Sequence, residues 1–343
     1  MSEKYTLKDK FVVTGGLGFV GSHLVQRLLA SGARVVVLDN KFTGFESNLE
    51  AALENPNLTV LDVDVSDWNE LSKNFSYLQD ATGVFHLAAC ARIQPSIHAP
   101  LLTHHTNVTG TLHILEMMRM CKIKSVVYSA SSSYYGKEAK IPSFESDLND
   151  CQTPYSISKY LGELYCKTWG KLHGTRNACL RYFNVYGRRS PLIGPYAPVI
   201  GLFFRQAMTG KPMTVVGDGE QRRDFTHVSD VVTANILSMN KLNSPDWNDL
   251  SGLTMNVGTG KNYTISEVAA CIRTSLLGSG YTDIKIVNTP ERVGEAKTSL
   301  ADTSLARQII DWKAEVDLID GVEDLKNYYL NNREKFNRGD FVL

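Results

Sequence analysis

The stretch Thr14 to His23, TGGLGFVGSH, decides the fold. It sets Gly15, Gly18 and Gly21 directly after an apolar β-branched run, Phe11 to Thr14, and directly before Ser22 to Ser31, where Leu24, Val25, Leu28 and Leu29 recur with helical spacing. A second β-branched run follows at Arg34 to Asp39 (RVVVLD), so the stretch is the turn of a βαβ unit. Glycines at such a turn let backbone amides and the helix N-terminus face a pyrophosphate with no Cβ in the way. Asp39 closes the second run, where a carboxylate accepts hydrogen bonds from an adenine ribose and repels a 2′-phosphate. The expected cofactor is therefore NAD rather than NADP, with Lys41 as a contrary charge two residues on. Asp64, past the third apolar run, reads either as a contact to the adenine edge or as a loop cap.

Further apolar runs at Leu58 to Val63, Gly83 to Ala88 and Lys124 to Ser129 predict strands, and Trp68 to Leu78 and Asn107 to Met120 predict helices. This alternation is the pattern of an α/β fold with a doubly wound parallel sheet. From Asn184 the texture changes, because GRRSPLIGPYAP is rich in Gly and Pro and reads as a loop leaving the sheet. The expected division is a dinucleotide-binding domain over 1–183 and a smaller C-terminal α/β substrate lobe over 184–343. Asp224 to Met239 reads as helical, and 224–257 is expected to pack back on the first domain.

Composition narrows the function classes. With 343 residues, 43% hydrophobic and 21% charged, the chain suits a globular protein with a sizeable core. Lys plus Arg and Asp plus Glu balance at 36 each, so there is no broad basic field for nucleic acid. No apolar run approaches the roughly 20 residues that span a bilayer, so no membrane partner is expected. The six cysteines form no CxxC pair, the chain opens with the polar MSEKYTLKDK, and a reducing cytoplasm is the expected location. The eight histidines are scattered without ligand spacing, and no metal is expected.

Tyr155 and Lys159 stand four apart in PYSISK, on a helix predicted to open at Pro154, so both fall on one face. An ammonium beside a phenol favours the phenolate, and Lys159 is expected to lower the Tyr155 pKa toward that of a general base. The serine cluster YSASSSYYG lies at the carboxyl end of a strand, where ligands bind in such folds.

With FHLAA (Phe85 to Ala89), NVTGT (Asn107 to Thr111), RYFNVYG (Arg181 to Gly187), GDGEQRRDF (Gly217 to Phe225), NVGTG, RVGE and SLAD, these motifs make the chain resemble the extended short-chain dehydrogenase/reductase family. Within it the likeness is to nucleoside-diphosphate-sugar 4-epimerases, which implies a Rossmann sheet, NAD and a homodimer. The resemblance selects Ser131, five residues before Gly136, as partner of Tyr155 and Lys159 in catalysis. Ser132 and Ser133 hold neither the Asp–Glu pair of related 4,6-dehydratases nor the glutamate of related xylose synthases, which leaves epimerisation. Cofactor contacts are implied at Phe19, Val20, Asn40, Val65, Leu87, Ala88, Ala89, Asn107 and Tyr182, with Asn107 and Lys159 at the nicotinamide ribose. Substrate contacts are implied at Ser132, Ser133 and Val199. Asn184 and Arg223 are implied at the diphosphate, Arg292 and Glu295 at the phosphate and uridine ribose.

Ser299, three before Asp302, stands where relatives restricted to glucose and galactose tend to carry tyrosine. A small residue there implies UDP-N-acetylglucosamine and UDP-N-acetylgalactosamine as substrates. Arg92 offers a partner for a C6 carboxylate, making a glucuronate epimerase the alternative, although such relatives tend to have threonine in place of Asn184. A nucleotide-sugar dehydratase or reductase and a non-catalytic NAD-binding regulator are the remaining readings. Tyr134 departs from the smaller residue usual at its position. The helix from Pro154 to Leu172 carries Ile157, Leu161, Leu164, Tyr165 and Leu172, more than one sheet-facing stripe needs.

Overall fold

The computed structural model describes residues 9–137, 139–192, 194, 197–247, 249, 252–291 and 297–333. Its central sheet has seven strands: β1 (Lys10–Thr14), β2 (Arg34–Asp39), β3 (Leu58–Asp62), β4 (Gly83–His86), β5 (Ser125–Ser131), β6 (Arg176–Tyr182) and β7 (Leu253–Val257). They lie in the order β7-β6-β5-β4-β1-β2-β3, and every pairing is parallel. This is the expected doubly wound sheet. From β1 the chain steps outward through β2 and β3, then returns to place β4 on the other side of β1. That reversal opens a crevice at the carboxyl ends of β1 and β4, where ligands bind in folds of this type.

Helices cover both faces, which is why KFVVT, RVVVLD and SVVYSAS are apolar without alternation. The longer helices of the chain are α1 (Phe19–Ala30), α2 (Gly110–Met120), α3 (Pro154–His173), α4 (Val199–Met208), α5 (Val228–Leu242), α6 (Ile265–Leu277) and α7 (Leu318–Asn331), of which α1, α2, α3 and α5 pack on the sheet. On one face Leu24, Val25 and Leu28 of α1 and Ile236 and Met239 of α5 pack with Phe11, Val13 and Phe85. On the other, Ile114, Leu115 and Met118 of α2 and Cys166 of α3 pack with Val12, Val84 and Val126. A second apolar cluster joins Phe203 and Phe204 of α4, Ile272 of α6, and Leu325 and Tyr329 of α7. Beside it, Met213–Val216 and Ile286–Thr289 form a parallel pair. Among the described residues no helix is long and apolar enough to cross a membrane.

Beyond residue 224 the chain rejoins the large sheet: β7 pairs with β6, and the Trp312 indole donates to Asp230 O at 3.0 Å. The helix expected from Asp224 begins only at Val228. Asp224 is instead a buried acceptor for Thr259 N (2.8 Å), Gly260 N (3.0 Å) and Ala301 N (3.2 Å), and Thr226–His227 pairs with Val185–Tyr186. The helix expected over 68–78 is broken into Trp68–Lys73 and Phe75–Leu78, and the one expected from Asn107 opens with a π-helical turn, His105–Thr109.

Candidate active site

The carboxyl ends of β1, β2 and β4 and the start of α1 wall a cavity. Gly15, Gly18, Phe19, Val20, Gly21, Asp39, Asn40, Asp64, Val65, Leu87, Ala88, Ala89, Arg92, Tyr155, Lys159 and Tyr182 all line it. Gly15 has φ 67°, and a Cβ there would lie 2.8 Å from Ala88 N; a Cβ on Gly21 would lie 2.1 Å from Gly15 O. The turn excludes side chains at both positions, and such a bare cradle at a helix N-terminus fits the pyrophosphate of a dinucleotide. Asp39 is buried, its Oδ2 accepting from Leu17 N (2.9 Å) and its Oδ1 from Lys41 N (2.8 Å). Burial pushes this carboxyl up, and the two amides pull it back. The Lys41 ammonium pairs with Glu46 (2.9 Å) and Asp62 (3.2 Å), which neutralises the charge that would favour a 2′-phosphate. Asp64 does cap its loop, accepting from Ser66 N (2.8 Å) and Ser66 Oγ (2.6 Å), and Asn40 Nδ2 donates to it at 3.0 Å.

The end of the cavity at Tyr155 and Lys159 is built on α3. Thr153 Oγ1 accepts from Ser156 N (3.2 Å) while Ser156 Oγ accepts from Thr153 N (3.0 Å), so a capping box, with Pro154 in the first turn, starts the helix just before Tyr155. The Tyr155 phenol faces the hydroxyl of Ser131, the last residue of β5, which opposes the effect of burial on it. Ser131 Oγ also accepts from Ser133 N at 3.2 Å, and the buried Ser133 hydroxyl has no hydrogen-bond partner among the described residues. Ser132 opens the short 3₁₀ turn Ser132–Tyr135 beside them.

Burial pushes the Tyr155 phenol up, with the Ser131 hydrogen bond and then the Arg92 charge pulling against it. Lys159 Nζ donates to Ser129 O at 2.9 Å and lies 5.1 Å from the Tyr128 ring centroid. Burial brings Lys159 itself down to about 8. Asn107 stands behind the residues that line the cavity. Its Oδ1 accepts from Cys90 N (2.7 Å), and its Nδ2 donates to Cys90 O (3.0 Å) and Ser158 Oγ (2.9 Å). It fixes the wall rather than facing a ligand. Tyr182 is held by Ser129 Oγ (2.9 Å) and Asn235, and burial pushes its phenol up to about 12.

A second group lies in the smaller lobe. Asn184 Nδ2 donates to Asp224 O (3.0 Å) and to Ser299 Oγ (3.2 Å), so two residues implied at the sugar nucleotide touch each other. Arg223 sits in a two-residue strand against Tyr263–Thr264, its guanidinium donating to Arg222 O (3.0 Å) and Lys297 O (3.4 Å). Val199, expected at the substrate, opens α4 and packs on the lobe's own core. Arg292 and Glu295 lie outside the described residues.

Two buried polar assemblies behind the site went unread in the sequence. His86, 2% exposed, is held between Thr14 Oγ1 (2.7 Å) and Thr111 Oγ1 (3.0 Å). The Thr111 hydroxyl donates to Asn107 O (2.6 Å), so it accepts from Nε2–H, and Nδ1 accepts from Thr14. Burial, and then the Lys159 charge, push His86 down to about 3. Arg181 in β6 donates from Nε and Nη2 to Glu163 of α3 (3.0 and 2.8 Å) and from Nη1 to Tyr135 OH (3.0 Å), with its guanidinium 3.4 Å from the Tyr134 ring centroid. That stacking accounts for the unusual Tyr134. The signal in each case is a polar residue inside an apolar strand run, FHLAA and ACLRYF.

A sequence model of the NAD dependent epimerase/dehydratase family matches residues 11–258. A putative UDP-glucose 4-epimerase of Methanocaldococcus jannaschii is 34% identical over 94% of this chain and 98% of its own. Among solved structures, the UDP-N-acetylglucosamine 4-epimerase from Methanobrevibacter ruminantium M1, in complex with UDP-N-acetylmuramic acid, has a TM-score of 0.84 and 35% identity over 94% of this chain and 100% of that one. The Thermus thermophilus UDP-glucose 4-epimerase, a complex with NAD, has a TM-score of 0.81 and 29% identity over 94% and 99%.

Proposed function

The chain belongs to the NAD-dependent epimerase/dehydratase family, and from that premise we propose that it inverts C4 of a UDP-sugar, interconverting UDP-N-acetylglucosamine and UDP-N-acetylgalactosamine. The observation that carries the reaction type is Tyr155 on the wall of the dinucleotide cavity beside Ser131 at the end of β5, with Ser132 and Ser133 where elimination would need an acid and a base. Bound NAD supplies reversible hydride exchange at C4. Gly15, Gly18 and Gly21 cradle its pyrophosphate, and Asp39 takes its adenine ribose. Tyr155 removes the proton from sugar O4 and later returns it, and Ser131 steadies the same oxygen. Lys159, anchored on Ser129 O, holds its charge at the cavity floor.

Ser299 supports the choice of sugar. Its hydroxymethyl group, in contact with Asn184, leaves the space that a tyrosine would fill, roughly that of an acetamido group. The second reading, a carboxylated sugar, is favoured by Arg92 on the cavity wall. A homodimer and a cytoplasmic location complete the proposal; all six cysteines are free thiols, as a reducing compartment allows.

The test is NMR of the products formed from UDP-N-acetylglucosamine without added NAD or NADH. The expected result is an equilibrium mixture with the galacto epimer. Overfilling a packed pocket costs about 1–3 kcal/mol, so Ser299→Tyr should lose about ten- to a hundredfold on the acetylated pair and keep its rate on UDP-glucose. A 4-keto-6-deoxy product, stoichiometric use of NADH, or turnover of non-acetylated hexoses alone overturns the reading.

A further inference from the structure

An unbroken line of buried hydrogen bonds runs from the glycine turn to α3. Thr14, the residue before Gly15, accepts at Oγ1 from Leu87 N and Ala88 N (3.1 Å each), so its single hydroxyl proton goes to His86 Nδ1 at 2.7 Å. His86 then carries its own proton on Nε2 and donates it to Thr111 Oγ1 at 3.0 Å. The Thr111 hydroxyl donates to Asn107 O (2.6 Å), Asn107 Nδ2 donates to Ser158 Oγ (2.9 Å), and Ser158 Oγ donates to Tyr155 O (2.8 Å). Thr14, His86, Thr111, Asn107 and Ser158 are each 2% exposed or less, so water does not compete for these bonds. Leu87 and Ala88 line the cavity, and a Cβ on Gly15 would lie 2.8 Å from Ala88 N, so the Thr14 end of the line holds the cavity wall against the glycine turn. The Thr111 end reaches the first turn of α3, where Tyr155 stands.

Building on the epimerase reading, we propose that His86 is a positioning residue, its two ring nitrogens setting the wall that takes the cofactor against the tyrosine that takes the sugar O4 proton. Hydride leaves a sugar carbon and the proton leaves the oxygen on it, so nicotinamide and phenol have to be held at one separation. Apolar packing of the surrounding elements is not directional, whereas a hydrogen bond is. A neutral imidazole accepts at one nitrogen and donates at the other across a rigid ring, so it fixes the spacing of Thr14 and Thr111 as a flexible side chain does not. The two ends act on different parts of the site. Thr14 bears on Leu87 and Ala88, while Thr111 bears on Asn107 and, through Ser158, on Tyr155.

Two amide substitutions cut the line on opposite sides of the ring. The carboxamide oxygen of His86→Asn falls where Nδ1 stands and keeps the Thr14 bond, and the carboxamide nitrogen of His86→Gln falls where Nε2 stands and keeps the Thr111 bond. His86→Gln should release bound NAD about tenfold faster, read as exchange for labelled NAD, with kcat at saturating NAD near that of wild type. His86→Asn should exchange NAD at the wild-type rate and lose about tenfold in kcat on UDP-N-acetylglucosamine with KM unchanged. Thr111→Val should repeat the second pattern with the ring intact and Thr111→Ser should restore it, which keeps the test decisive where a His86 variant fails to fold. Equal losses in both readouts would make His86 a part of the core alone, and unchanged readouts would leave it idle; either result overturns the proposal. Absence of turnover on every UDP-sugar by the wild type would sink the epimerase reading, while NAD exchange, measured without sugar, still judges His86.

Discussion

Burial sets the charge of the side chains behind the cavity, and a histidine there answers to pH. Burial holds His86 at about 3 and His23 at about 4, against about 6.5 for a histidine in the unfolded chain. Below pH 6.5 the unfolded chain takes up protons that the native one refuses, so stability is whole above that value and falls as pH drops toward 3 to 4. Between pH 6.5 and 5 the expected loss is about 2 kcal/mol per histidine. Urea melts at the two pH values check this, and His86→Gln should flatten the slope. The same scale governs the cofactor. Asp39→Ala removes acceptors worth about 1.5–3 kcal/mol, so NAD should bind about ten- to a hundredfold more weakly by calorimetry. Gly15, Gly21 and Asp39 were legible because their chemistry is local to one turn and one strand end. His86 was not, since its role depends on Thr14 and Thr111, which only the fold brings to it.

At the scale of elements, α3 is where several constraints meet. Tyr155, Lys159 and Glu163 are spaced by four, so the helix that carries the proposed reactive pair also carries a carboxylate that locks onto β6 through Arg181. Tyr135 passes the contact on to Asn256 of β7 at 2.6 Å, and Asn256 holds Ser143 O and Asp302 O. Glu163→Gln leaves Arg181 buried without its counter-charge and is expected to cost about 3–5 kcal/mol in urea unfolding. Arg181→Met together with Glu163→Leu should recover most of that, because two apolar side chains need no partner. If the double variant is as unstable as the single one, the assembly is acting through its other hydrogen bonds. Strands were legible as β-branched runs, and α3 from its Pro and its spacing. The start of α5 was not, because DFTHVSD carries helical periodicity while Asp224 is claimed by loops at 259–260 and 301, far along the chain.

For the molecule as a whole, the exposed apolar surface has a direction. Ile157, Leu164 and Leu172 on α3 stand 46%, 41% and 67% exposed, and Leu101 on the short helix Pro100–His104 beside it is 85% exposed. Single exposed leucines are ordinary, but a row along one helix and its neighbour suits the two-fold interface of the proposed homodimer. Light scattering at micromolar concentration should give twice the chain mass, and Leu164→Glu with Leu172→Glu should halve it; a monomeric wild type refutes the dimer. The doubly wound sheet was readable from alternation alone. The path of the chain between its two apolar clusters was not, because texture marks where a loop leaves the sheet and says nothing of how often it returns. β7 lies at the sheet edge against β6, and Trp312 sits in the core beside α1 and α5. The smaller lobe is thus a set of inserts hung on one continuous frame. A fragment ending at residue 183 would expose β6 as a raw edge and strip α5 and Trp312 from the face they share with α1, so the first half is not a portable module. Exchange of sugar preference between relatives has to respect this threading, with crossovers near 183 and 224 and again near 257 and 304, so that pocket-forming inserts travel while the frame stays native.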